Sequence, residues 1–177
     1  MLPESMEPKE AAALYVLNKL SSDKIVELAN AWILNEVFTD SLNDLCWEKS
    51  PEMNIVGPIF EKMIEELGIE PMTRFEAANF VIEKTLTRIL DNEIEPEKGA
   101  CFIYNDVWGE VEQEYPGKKY LGDSLRLEHI FCWLREIWDC RDGSMILYYN
   151  DLPRDEAAKK FEEHLIEEAR NWLVNAT

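Results

Sequence analysis

A chain of 177 residues is about the length of one domain. It carries 36 Asp and Glu against 18 Lys and Arg, a net charge of −18. A field of that sign repels nucleic acid and anionic lipid and attracts basic proteins and cations, while an apolar fraction of 46% with six Trp, six Tyr and seven Phe excludes a disordered chain.

The spacing of apolar residues predicts helices along most of the chain. The first runs from near Pro8 to Leu20, since Pro suits a helix start and the Ala-rich segment favours helix. Ser21-Ser22-Asp23 breaks and recaps, and Ile25, Leu28, Ala29, Trp32, Ile33 and Val37 form the stripe of the second helix. Phe38 to Pro51 is less regular and holds a short helix around Ser41–Cys46. Gly57-Pro58 is expected to open the next helix, with Ile59, Phe60, Met63, Ile64 and Leu67 at helical spacing and Gly68 as its left-handed stop. Thr73-Arg74-Phe75-Glu76 reads as a capping box, followed by the inward stripe Phe75, Ala78, Ile82, Leu86 and Ile89.

Residues 91–122 contain Pro96, Gly99, Gly109, Pro116, Gly117 and Gly122 among apolar residues. They are expected to be an irregular acidic segment with a helix, or irregular chain, near Lys98–Glu112. Asp123-Ser124 then starts a strong helix with Leu127, Ile130, Phe131, Leu134, Ile137 and Trp138 on one face, ending near Gly143. Met145–Tyr149 is a short apolar run that reads equally as a strand or as an extended loop lining the core. A lone strand has no partner here. Pro153 begins the last helix, with Ala158, Phe161, Leu165, Ala169 and Trp172 inward. The expectation is an all-α fold: one compact bundle-like domain over residues 1–177, with six or seven helices.

No run approaches the ~18 apolar residues of a membrane span. Met1 to Glu7 has neither a basic segment nor an apolar run, so no signal peptide is expected. Cys46, Cys101, Cys132 and Cys140 contain no Cys-x-x-Cys pair. They read as reduced, packing thiols of a cytoplasmic protein.

His129 and His164 are the only histidines. Arg126 and Phe161 stand three residues before them, so the Glu-x-x-His pairs of a di-iron bundle are missing. His-Glu-x-x-His, both glycine-rich phosphate cradles and Gly-x-Ser-x-Gly are missing too. His129, Cys132 and Glu136 lie at i, i+3 and i+7 on one helix face. Cys, His and a carboxylate are the components of an activated thiol, which keeps a small enzyme or metal protein as an alternative. The simpler reading is the flank of a packed helix. His164 lies between Glu162-Glu163 and Glu167-Glu168, a solvated acidic face that is also suited to a cation. No cofactor or metal is assigned.

The stretch with most functional content is 91–117. Asp91, Glu93, Glu95, Glu97, Asp106, Glu110, Glu112 and Glu114 stand there against Lys98 alone. Tyr104, Trp108 and Tyr115 are interleaved, with Tyr120 just beyond. Carboxylates that steer an encounter and aromatics that anchor it suit a basic protein surface. The opposing reading is an acidic connection whose aromatics face inward. The candidate partner-binding residues are Glu93, Glu95, Glu97, Tyr104, Asp106, Trp108, Glu110, Glu112, Glu114 and Tyr115. The sequence therefore favours a non-enzymatic acidic binding protein with a basic protein partner, in the manner of an immunity or antitoxin-type inhibitor of a nucleic-acid-cutting toxin. A scaffold subunit of a larger assembly is the third reading. Oligomeric state is not set by the sequence.

Overall fold

The computed structural model describes residues 6–176. The stretch inspected for a leader lies outside them, apart from Met6 and Glu7. All regular structure among the described residues is helical: α1 Pro8–Val16, α2 Ser22–Leu34, α3 Asp40–Cys46, α4 Met53–Glu66, α5 Arg74–Leu90, α6 Pro96–Phe102, a π segment Ile103–Trp108, α7 Gly109–Val111, a 3-10 turn Asp123–Leu125, α8 Glu128–Asp142 and α9 Arg154–Ala176. With the continuous rod from Pro96 to Val111 counted once there are eight helices, close to the expected number. Contacts group the chain into two units, Met1–Ala77 and Ala78–Thr177.

In the first unit, α1 to α4 bury the residues that their periodicity selects, among them Leu14, Leu17, Ile25, Leu28, Leu42, Leu45, Phe60 and Met63. Polar groups fix the ends of the helices. Ser21 Oγ accepts the Lys24 N–H at 3.3 Å, and Thr39 Oγ1 accepts the Leu42 N–H at 3.0 Å. Buried Ser41 donates its N–H (3.0 Å) and its hydroxyl (2.9 Å) to Glu66, which ties the start of α3 to the end of α4. Ser22 Oγ donates to the Pro51 carbonyl at 2.7 Å. The expected capping box forms, with Thr73 N–H on Glu76 Oε2 at 2.8 Å and Glu76 N–H on Thr73 Oγ1 at 3.2 Å.

Three sequence expectations are corrected. Helix α4 begins at Met53, so Gly57-Pro58 lies inside it. Val56, wholly buried, extends the Phe60–Met63 stripe backwards by one turn, and the missing Pro58 N–H removes only one bond near the helix start. A Cβ at Gly57 would sit 2.8 Å from Tyr15 Oη, so a larger residue there would have to displace the end of that side chain. Phe75, expected inward, is exposed. The helix expected from Asp123-Ser124 begins at Glu128, because Arg126 takes a left-handed conformation (φ 59°) after the 3-10 turn.

In the second unit, α8 and α9 pack antiparallel. Arg126, just before α8, donates to the Asn175 carbonyl near the end of α9 (2.5 Å). Arg154, opening α9, donates to the Asp139 and Gly143 carbonyls at the end of α8 (2.7 and 3.1 Å). Each guanidinium thus meets the negative end of a helix dipole. Between them Ile130, Phe131, Leu134 and Ile137 of α8 and Ala157, Phe161, Leu165, Ala169 and Trp172 of α9 are buried, so Ala157 takes the inward place expected of Ala158, which is half-buried. The Trp172 indole N–H donates to the Leu125 carbonyl at 2.9 Å. Helix α6 packs on both. Residues 91–122 are thus less irregular than expected: Pro96 opens a helix and the rod runs to Val111. Met145–Tyr149 is a loop.

Four corners share one geometry. After α1, α2, α4 and α5 the chain turns through a left-handed residue: Asn18, Glu36, Gly68 and Asn92. Lys19, Val37, Ile69 and Glu93 then return their N–H groups to the carbonyls of Leu14, Trp32, Ile64 and Arg88, which is the Schellman arrangement. Gly and Asn adopt this conformation at low cost. Glu36 (φ 64°) pays about 1 kcal/mol for its Cβ. Replacing Glu36 with Gly is therefore expected to raise the unfolding free energy by about 1 kcal/mol, while Glu36→Gln, which removes the charge alone, gives a smaller gain. Denaturant titration of the two variants checks this.

Candidate partner-binding surface

The acidic segment is built on a helix that faces two ways. Gly99, Ala100, Ile103, Val107 and Val111 are buried, and the π segment's wider i→i+5 turn carries Tyr104 and Trp108 beside them. Tyr104 lies 5.3 Å from Trp108, 5.0 Å from Phe131 and 5.6 Å from Trp138, the last two edge-on. Trp108 lies 5.5 Å from Phe131 and is 7% exposed. Such pairs contribute about 0.5–1.5 kcal/mol each beyond area burial. Trp108 is buried and Tyr104 half-buried beside it. Tyr115 is half-buried, and its carbonyl accepts the Ser124 hydroxyl at 2.6 Å.

The carboxylates divide as well. Glu93, Glu95 and Glu114 are exposed, and Glu97, Asp106, Glu110 and Glu112 are half-buried. Arg141 pairs with Glu97, Lys98 Nζ lies 3.0 Å from Glu95 and Arg88 Nε lies 3.9 Å from Glu93. Exposed pairs of this kind add little stability and leave the surface strongly negative. Across the described residues only two carboxylates, Glu10 and Glu136, are buried.

The segment closes on Asp123. Its carboxylate accepts the N–H groups of Lys118, Lys119 and Tyr120 at 2.9, 2.8 and 3.1 Å. The Tyr120 and Lys119 amides hold the Asp123 carboxyl below the ordinary carboxylate range.

Tyr120 and Leu121 are exposed in this segment, and the other large exposed side chains lie elsewhere. Trp47 is 74% exposed, and Leu34, Phe38, Met53 and Ile55 are exposed with it in the first unit. In the second unit the loop after α8 presents Met145, Leu147 and Tyr148. A sequence signal existed for Trp47. It falls off the Leu42–Leu45 stripe and shares the solvent face of α3 with Asp40 and Asp44, at i, i+4 and i+7. For the loop there was none, because an apolar run predicts burial.

The His129, Cys132 and Glu136 face does not converge. His129 and Cys132 are exposed, whereas Glu136 is buried and its Oε2 accepts the Leu147 N–H at 2.9 Å. Partial burial, then the charge of Glu136, pushes the Cys132 thiol up, opposite to the shift that activates a nucleophile. No group of three His, Cys, Asp or Glu side chains among the described residues is placed to hold a metal ion. His164 stacks on Trp133 at 4.6 Å with Tyr149 Oη 2.7 Å from its Nε2. The chain matches no protein-family model, no curated protein and no solved structure.

Since folding favours the charged Asp123, its contribution is present above the ordinary aspartate range and is lost as pH falls through the lowered folded value. The difference in melting temperature between the native chain and Asp123→Asn is expected to be widest near neutrality and to close below about pH 4. The difference between the two proteins is the quantity to read, because acid also relieves the general repulsion among carboxylates.

Proposed function

We propose that this chain is a non-enzymatic binding protein whose acidic surface docks a basic protein. The observation that supports the reading is where the carboxylates lie: the net charge is −18, and all but two of the described carboxylates stand at least partly in water. Like charges crowded on a surface oppose folding, so a chain gains nothing in stability from such an excess. It gains fast, oriented encounter with an oppositely charged protein. A protein that cuts nucleic acid presents Lys and Arg to phosphate, and a carboxylate array competes for that groove. Nucleic-acid-cutting toxins are therefore the partner class proposed. Glu93, Glu95 and Glu114, with the half-buried Glu97, Asp106, Glu110 and Glu112, are assigned the steering role.

A second reading, a subunit of a larger assembly, is favoured by the exposed Leu34, Phe38 and Trp47. In capture from cells of its own host at about 50 mM salt, the chain is expected to recover a basic protein, and raising salt to about 300 mM weakens that complex at least about tenfold. Recovery of neutral or acidic proteins alone, or a salt-insensitive oligomer of the chain itself in light scattering, overturns the proposal in favour of the assembly reading.

A further inference from the structure

The loop joining α8 to α9 is held at Gly143, Ser144, Ile146, Leu147, Tyr148 and Tyr149. Gly143 ends α8 in the left-handed region (φ 88°), and Asp142 Oδ1 accepts the Ser144 N–H at 2.8 Å. Ile146 is buried. The Leu147 N–H donates to Glu136, which is 3% exposed. Tyr148 lies 5.6 Å from Trp133, the ring that stacks on His164 at 4.6 Å. Tyr149 lies 5.5 Å from Phe161 and bonds His164 with a backbone φ of 54°. Arg154 closes the loop on the Asp139 and Gly143 carbonyls.

Two of these fixings are unfavourable by themselves. Withdrawing a carboxylate from water is costly unless it is well bonded, and an aromatic residue in the left-handed region is strained. What they hold in place is a set of apolar side chains facing water: Met145 is 80% exposed, Leu147 64% and Tyr148 52%. Aromatic residues and Met are the types enriched at interface centres, and a loop already set in one conformation loses little entropy on binding.

The net charge of the chain selects the occupant. Asp142, Asp151, Asp155 and Glu156 are exposed around the loop. Among the cations near them, Arg141 pairs with Glu97 and Glu162, Lys160 pairs with Glu163, Arg154 lies on the carbonyls of α8 and Lys159 is exposed. A second copy would bring the same carboxylates together in a chain of net −18, so like-charge repulsion opposes self-association. We propose that Met145, Leu147 and Tyr148 form the apolar centre of the docking surface of this acidic chain, for a basic protein with an apolar socket. This rests on the function proposed above and names where the contact is made.

A photo-crosslinking residue placed in the full-length chain at Leu147, or separately at Trp47 or Glu95, and irradiated in host cells tests it. The expected result is an adduct with one basic protein from position 147. With that protein purified, L147S and Y148S are expected to weaken binding by about 30-fold, with L147S leaving the melting temperature unchanged. W47S is expected to leave both unchanged. Basic-protein adducts from positions 47 or 95 without one from 147 overturn the docking surface and leave the basic-partner reading standing. An adduct of position 147 with a second copy of the chain, or with a neutral or acidic protein, overturns the proposed occupant. No adduct at any of the three positions overturns both proposals.

Discussion

The second unit turns on one hydrogen bond, from the Leu147 N–H to Glu136. Glu136 sits on the buried side of α8 among Ile130, Leu134, Ile137 and Cys140, where a carboxylate without a partner would be expelled or protonated. The amide that meets it comes from the loop returning to α9. Bonding Glu136 therefore fixes the loop, and the loop, with Arg154 across the end of α8, fixes where α9 begins. The buried Phe161 and Leu165 then follow at helical spacing. The tight antiparallel packing of α8 on α9 leaves the intervening residues little freedom, and the strain at Tyr149 is its local mark.

Much of this architecture was legible in the sequence, and the legible parts share a cause. Helices are set by short-range physics: Pro8, Ser21 and Thr73 at helix starts, Gly68 and Gly143 at stops, and stripes such as Ile25, Leu28, Ala29 and Trp32. Where tertiary contacts decide, the sequence misleads. Pro58 resembles a helix start but lies within α4, because burial of Val56 recruits the preceding turn. Arg126 and Glu36 hold left-handed conformations that neither residue type advertises. Arg126 is anchored from outside, by the Asn175 carbonyl.

The functional surface was less legible, for a related reason. Composition locates charge but not direction. Residues 91–117 combine acids with aromatics, and their Gly and Pro content suggests loops. In the folded chain Pro96 begins a helix and Gly99 packs beneath Ile89, where a Cβ would come within 2.7 Å of Ile89 Cδ1. Ile103, Val107 and Val111 form one buried apolar column, with the buried Trp108 and the half-buried Tyr104 in a second beside it. The acids stay outside. At 145–149 hydrophobicity suggested a strand or a core-lining loop, whereas Ile146 is buried, Tyr149 half-buried and the other three exposed. An apolar residue held in water is invisible to any reading that treats hydrophobicity as burial.

On the proposed surface, acidity and exposed apolar groups are two halves of one device. A fixed loop bearing Met145, Leu147 and Tyr148 would tend to associate with itself in a neutral protein, since exposed apolar patches promote aggregation. The net charge of −18 makes that contact repulsive, with each charge felt over about a Debye length, roughly 8–10 Å near physiological salt, while drawing in a partner of opposite sign. The charge thereby acts on selectivity more than on contact energy: it discourages the like surface and admits the unlike one. Salt has opposite effects on the two outcomes, screening the attraction to a basic partner and the repulsion between copies alike. An acidic chain with an exposed apolar centre thus favours hetero-association under the same low-salt conditions that disfavour self-association.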